Sequence, residues 1–267
     1  MSKEEAQEVP PTATEKDTAK DNDNAGPFDS FQISSHEYLK TLGDRAKCEN
    51  CNATRKYFCY TCFRPVGDID RVPQMRLPIQ LNIIHHPKEP KSKKTSIHAK
   101  VLAPLDVVMF DDPDIPDYRQ EKDEVLLLFP SPDAKNISEI DVTKYKKIIV
   151  IDSTWSQTKG ILRNERLQGL QCVRIQTYET KFWRYQDHGR EFLATIEAIY
   201  YFYREYQQRI NGGVYRGEMD NLLYYFSFFY NLIQGVYKKN NKEFNRIEGY
   251  VKLEPPTKAI KTDEAEK

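Results

Sequence analysis

Five short apolar runs constrain this chain more than any other feature. They are LNIIHH (81–86), VLAPLDVVMF (101–110), VLLLF (125–129), KIIVID (147–152) and QCVRI (171–175), each bounded by Pro, Asp or Lys. They are the length of strands, and the continuous ones suit a sheet covered on both faces. Elsewhere the spacing changes. Residues 154–169 carry a helical pattern ending near Gly169. Residues 192–210 and 218–239 repeat apolar side chains at helical intervals, through Ile196, Ile199 and Tyr203, then Leu222, Phe226, Phe229, Ile233 and Tyr237. Strands alternating with helices, closed by two long helices, predict an α/β domain. The aromatic stripe is expected in its core rather than as a stacking platform for bases.

Composition sets the limits of that domain. The 267 residues are 39% hydrophobic and include 17 Tyr and 13 Phe, too many for a disordered chain. Forty basic and forty acidic residues leave a formal net charge of zero, which excludes a histone-like binder. The charge is unevenly spread. Residues 1–30 hold eight acids and three bases, and residues 253–267 hold four and three, so the middle carries a surplus of six positive charges. That surplus permits a nucleic-acid partner without requiring one. No stretch is apolar for long enough to span a bilayer. The N-terminus (MSKEEAQEVP) has acids where a signal peptide needs a basic end and an apolar run, so a soluble intracellular protein with reduced cysteines is expected.

Four units follow. Residues 1–30 are read as a disordered acidic tail and 253–267 as a second tail, because neither buries enough apolar surface to offset the entropy of ordering. Residues 31–66 form a lead-in and a cysteine module, and 67–252 the α/β domain. In the module, Cys48-x2-Cys51 and Cys59-x2-Cys62 lie seven residues apart. Each Cys-x2-Cys turn aims two thiolates at one ion, and two turns complete a closed tetrahedral site. Thiolates select zinc or iron–sulfur, and with no accompanying redox signal a structural Zn²⁺ is expected. Arg55, Lys56, Tyr57, Tyr60 and Arg64 lie among these ligands and are candidates for RNA contact or for solvated surface. Cys172, alone in an apolar run, reads as a core residue.

The candidate active site is where KIIVID runs into Asp152-Ser153-Thr154-Trp155 and a helix. Ligands of open α/β sheets collect at the carboxyl ends of strands. The same residues also make a helix N-cap and a core anchor. A second apolar strand ends in a similar turn, Phe129-Pro130-Ser131-Pro132-Asp133-Ala134, which favours a shared ligand crevice. The run HHPKEPKSKKTSIHAK (85–100) holds five lysines and reads as a flexible basic segment near that crevice, or as a solvated loop.

Asp152-x-Thr154-Trp155 resembles the signature of DTW-domain proteins, and four further blocks agree in order. These are the paired Cys-x2-Cys motifs, His85-His86-Pro87-Lys88-Glu89 with Lys94-Thr95, Phe129-Pro130-Ser131 with Asp133-Ala134, and Phe192-Leu193-Ala194-Thr195-Ile196-Glu197-Ala198. The resemblance covers roughly residues 46–235. It implies a SPOUT-like α/β fold, with a knot left open, and a nuclear location. It also implies a tRNA-uridine aminocarboxypropyltransferase. Such an enzyme moves the 3-amino-3-carboxypropyl group of S-adenosylmethionine to N3 of a D-loop uridine and releases methylthioadenosine. On that reading Asp152 is the base or the group orienting N3–H, with Thr154 and Trp155 beside it. Phe129, Pro130, Ser131, Asp133 and Glu197 are then candidates for binding the donor. Two other readings remain at this point: a methyltransferase using the same donor, and a non-catalytic zinc-stabilised RNA-binding adaptor. The oligomeric state, monomer or homodimer, stays open.

Overall fold

A computed structural model describes residues 26–183, 189–239, 244–247 and 250–253. Its centre is a six-stranded sheet of β1 (Gln80–His85), β2 (Val107–Asp111), β3 (Val125–Leu128), β4 (Lys135–Asn136), β5 (Lys147–Asp152) and β6 (Gln171–Arg174). The strands lie in the order β2-β1-β5-β3-β6-β4, and every pairing is parallel. The sheet is therefore the covered parallel type that the apolar runs predicted. Successive residues of a strand face opposite sides, and the packing follows that alternation. Ile148 and Val150 join one core with Leu81, Ile83, Leu126 and Val173, whereas Ile149 joins a second core with Ile84, Val125 and Leu127 on the other face.

After the short helix α1 (Glu37–Thr41), helices α2 (Ile97–Leu102), α4 (Thr195–Ile210) and α5 (Tyr224–Lys239) cover the first face, and α3 (Trp155–Ile161) contributes to the second. The aromatic stripe is core, as expected: Tyr200, Tyr203, Tyr224, Tyr225 and Phe226 are buried. The chain crosses from β2 at one edge to β3 on the far side of β5 and returns into the middle with β5 itself. That return places the carboxyl end of β5 between those of β1 and β3, where an open α/β sheet forms a crevice.

Three expectations are corrected. The run 101–110 is not one strand: Val101 and Leu102 end α2, Pro104 interrupts the pattern, and β2 begins at Val107. The pattern over 154–169 breaks after Ile161, where Asn164 accepts a hydrogen bond from the Arg166 N–H and starts a separate turn. Residues 26–30, read as the end of a tail, are packed: the Phe28 ring meets Tyr230 at 5.4 Å and Phe226 at 6.1 Å. Aromatic burial there offsets an ordering entropy that the polar neighbours alone do not. The remaining tail residues, 1–25 and 254–267, lie outside the described residues.

Candidate active site and cysteine centre

The crevice opens at the carboxyl ends of β3, β5 and β6 and encloses about 350 Å³. Phe129, Pro130, Trp155, Phe192 and Leu193 make its apolar wall, and Ser153, Arg174, Gln176, Glu191 and Thr195 bring polar groups to it. Trp155 is 40% exposed although large and apolar. It meets Phe192 edge-on at 5.2 Å and lies 6.5 Å from Phe129. It is a crevice wall and not a core anchor. Thr154 is the N-cap of α3, its backbone N–H donating to Gln157 Oε1 at 3.0 Å. The turn thus does both things its sequence allowed.

Asp152 is less open than the sequence suggested. It is 8% exposed, and neither carboxylate oxygen is free. Ser96 Oγ donates to Oδ2 at 2.5 Å and Thr195 Oγ1 donates to Oδ1 at 2.7 Å. Thr195, the first residue of α4, lies between this carboxylate and the crevice, whose wall it joins. His85 pairs with Asp152 across β1 and β5, its Nε2 standing 3.3 Å from Ser96 Oγ and 3.5 Å from Asp152 Oδ2. Its Nδ1 lies 3.7 Å from Asp111. Burial lowers the His85 pKa to about 4 against the pull of Asp152 and Asp111, with Lys94 and Lys91 lowering it further. The ring is therefore neutral near neutrality. Of the two adjacent histidines only His85 reaches this cluster through its ring, and His86 gives its backbone N–H to the Asp152 carbonyl.

The remaining candidates divide. Phe129 and Pro130 line the crevice. Ser131 and Asp133 occupy the turn that follows and do not line the crevice. Ser131 Oγ is buried with no hydrogen-bond partner among the described residues, and Asp133 is exposed. Glu197 is a correction. It is 3% exposed and does not line the crevice. Its carboxylate accepts from the Ala194 N–H at 2.8 Å, capping α4, and from Thr180 Oγ1 and the Lys181 N–H at 2.6 Å each. It pins the 180–182 segment to a helix N-terminus, where negative charge is favourable.

The basic segment is also corrected, since residues 94–99 are buried. Lys94 Nζ donates to the His86 carbonyl at 3.2 Å, and Lys100 Nζ donates to the carbonyls of Pro104 and Val107. Sequence reasoning gave Ser96 and Thr195 no individual role, because their partner lies 56 and 43 residues away. The Lys94-Thr95 and Phe192–Ala198 blocks were the only signals pointing to that neighbourhood.

At the cysteine module, the four Sγ atoms of Cys48, Cys51, Cys59 and Cys62 lie within 4.8 Å of one another. Cys51 and Cys59 are 3.6 Å apart, close to the edge of about 3.8 Å that an S₄ tetrahedron needs at Zn–S bonds of about 2.3 Å. Against burial, the Cys62 and Thr61 N–H groups lower the Cys59 pKa to about 6, while hydrogen bonding to Cys51 and burial push Cys62 up to about 12. The four clustered sulfurs thus favour Cys59 as the thiolate and hold Cys62 as a thiol. The donor set fits a closed tetrahedral ion. Tyr57 and Phe58 dock the module on α5, with rings 4.9 Å from Phe228 and 4.8 Å from Tyr225. Tyr57 is thereby spent on packing. Arg55 stacks on Tyr60 at 3.8 Å, and Arg64 pairs with Glu49 at 2.9 Å.

Comparison with known proteins follows the same outline. The model of the DTW domain matches residues 56–234. Relatives named tRNA-uridine aminocarboxypropyltransferase 1 are 37% identical in Xenopus laevis (80% of this chain, 89% of the relative) and 38% in Xenopus tropicalis (80% and 88%). The Homo sapiens relative is 35% identical over 83% of this chain and 88% of its own. Among solved structures, the SAM-dependent rRNA:acp-transferase Tsr3 from Vulcanisaeta distributa matches at 15% identity and a TM-score of 0.39, over 61% of this chain and 80% of that one. With its signature at the lip of the crevice and relatives matched over nearly their whole length, this chain belongs to the DTW-domain family.

Proposed function

We propose that the protein transfers the 3-amino-3-carboxypropyl group of S-adenosylmethionine to N3 of a uridine in the D-loop region of tRNA. The observation that carries this reading is the coincidence of the family signature with the crevice. Ser153 and Trp155 of the signature line a cavity of about 350 Å³ at the carboxyl end of β5, and Asp152 stands behind its wall, bonded to the lining Thr195. That volume is within the range of small-molecule sites. The relatives' names supply the reaction. Phe129, Pro130 and Trp155 offer apolar walls for a purine or a uracil, and Ser131 and Asp133, in the turn next to Pro130, are the polar groups proposed for the donor. Glu197 has no part in donor binding on this reading.

The chemistry asks little of the protein beyond position and one proton acceptor. The donor's sulfonium is a good leaving group, and which carbon is transferred depends on which one faces the nucleophile. Uridine N3 carries an imide proton that must leave, and the Asp152 carboxylate receives it. Cys48, Cys51, Cys59 and Cys62 would hold a Zn²⁺ as a complete set of four sulfur ligands, and an ion so held would shape the module rather than take part in transfer. The SPOUT-like affinity of the fold and a nuclear location rest on the family resemblance.

Incubating the protein with unmodified tRNA and the donor, followed by nucleoside mass spectrometry, tests the reading. The expected product is an aminocarboxypropyl uridine. Gain of a methyl group alone would assign a methyltransferase, and no product would favour the adaptor. Asp152→Asn should lower turnover by roughly 10²–10⁴-fold while leaving donor affinity close to the parent's, at a cost of about 1–3 kcal/mol in stability because its two hydroxyl donors lose a charged acceptor.

A further inference from the structure

The hydrogen bonds around Asp152 have a direction that proton counting fixes. A hydroxyl has one proton to give and two lone pairs to receive. Ser96 spends its proton on Asp152 Oδ2, so the neutral His85 ring must be the donor to Ser96 through Nε2–H. Thr195 spends its proton on Asp152 Oδ1. Both chains of donors therefore run inward and end on one buried carboxylate. At one end the His85 ring is itself buried, with its Nδ1 towards the exposed Asp111 and with Lys94 and Lys91 nearby, away from the crevice lining. At the other end stands Thr195, half-buried in the crevice wall with lone pairs and no proton left to offer.

We propose that Thr195 is a catalytic residue: its hydroxyl, and not the Asp152 carboxylate, meets the substrate N–H and passes the proton inward. This deepens the transfer reaction proposed above and rests on it. An oxygen that can only accept at this position selects a donor, and the imide N3–H of uracil is the donor the reaction requires. As N3 attacks the aminocarboxypropyl carbon, the N3 proton moves to Thr195 Oγ1 and the Thr195 proton moves to Asp152 Oδ1. The carbon–sulfur bond breaks, its electron pair staying on sulfur as neutral methylthioadenosine. One positive sulfonium and one negative carboxylate are both neutralised, so the buried site ends the step with no net charge, which a low-dielectric interior favours. Ser96 and His85 hold the far oxygen and keep Asp152 turned towards Thr195, which makes them positioning residues.

Single-turnover rates of Thr195→Val, Thr195→Ala and Thr195→Ser test this, measured with tRNA and S-adenosylmethionine from neutral to alkaline buffer. The two variants without a hydroxyl should transfer roughly 10²–10⁴-fold more slowly at neutral pH, with donor affinity near the parent's and a melting temperature lowered but still well above that of the assay. Thr195→Ser should stay within several-fold of the parent. The deficit of the hydroxyl-free variants should shrink as the buffer becomes alkaline, because a uracil that has already ionised needs no acceptor. Full activity without the hydroxyl would overturn the inference. So would a loss that is uniform across pH, or a serine variant as slow as the valine one, since either would mark a packing role. A parent protein that forms no aminocarboxypropyl nucleoside removes the functional reading and this inference together. A parent that forms it, with Thr195→Val at full rate, removes the inference alone.

Discussion

A buried carboxylate with three protein donors and one with a donor in the crevice wall look alike in a sequence, and here Glu197 and Asp152 are that pair. Glu197 accepts from Ala194, Thr180 and Lys181, all of them away from the crevice lining. Hydrogen bonds to a charged group are worth about 1.5–3 kcal/mol, and a neutral amide leaves at least one partner mismatched. Glu197→Gln should therefore destabilise the fold by about 1–3 kcal/mol without changing the affinity for S-adenosylmethionine. Chemical denaturation and calorimetric titration check the two halves, and a weakened donor affinity at unchanged stability would return Glu197 to the binding site. His85 carries a pH prediction. Its pKa falls from 6.5 in the open chain to about 4 in the fold, so the unfolded state takes up the proton first. Its contribution to stability is present above pH 6.5 and is lost as the pH falls from there through about 4, at no more than about 1.4 kcal/mol per pH unit. Urea melts across that window should steepen with acid in the parent and less so in His85→Gln. Equal slopes would show that the ring titrates as if exposed.

Among the elements, the cysteine module is docked on α5 by Tyr57 and Phe58, and the ion proposed above would tie together its four clustered sulfurs. Removing the metal should cost stability in the module first. Chelation, or Cys59→Ser, is expected to lower Tm by several degrees, each kcal/mol of destabilisation being worth roughly 2–4 °C in a chain of this size. It should also expose residues 46–66 to protease while far-UV circular dichroism of the sheet and helices persists. A metal-free protein with unchanged Tm and protease resistance would reject a structural ion. The elements also show what a sequence can reveal. β5 was legible to the residue because an unbroken apolar run has one reading in a covered parallel sheet. The run 101–110 was not, because α2 and β2 abut with only a proline turn between them, and apolar content does not distinguish a helix end from a strand start. Asp152 and Trp155 were legible because they follow β5 directly. Ser96 and Thr195 were not, because a hydroxyl acquires its role only from a partner that the fold brings across the sheet. Glu197 was misplaced for the same reason, since its partners come from the 180–182 segment as well as its own helix.

At the scale of the whole molecule, the crevice and the cysteine module lie near one loop, residues 86–93. Glu89 Oε1 accepts from Gln157 Nε2 on α3 at 3.3 Å, and Lys91 Nζ stands 5.7 Å over the Phe63 ring of the module. The net charge of zero hides how the basic residues are used. Of the five lysines in 85–100, Lys94 and Lys100 are spent on backbone carbonyls inside the fold, whereas Lys88, Lys91 and Lys93 are exposed on this loop. If the crevice takes a tRNA base, as proposed above, exposed lysines on this loop would reach its phosphates, and such contacts add affinity without sequence preference. Replacing all three by alanine should weaken tRNA binding and flatten its salt dependence, by roughly 0.7–0.9 in the slope of log K against log salt for each phosphate that is no longer neutralised. Affinity for S-adenosylmethionine should not change, because none of the three lines the crevice. Filter binding over a salt series measures the slope. An unchanged slope would move the phosphate track off this loop, and Lys47 and Lys56 of the cysteine module, the first exposed and the second half-buried, would then be the next basic residues to replace.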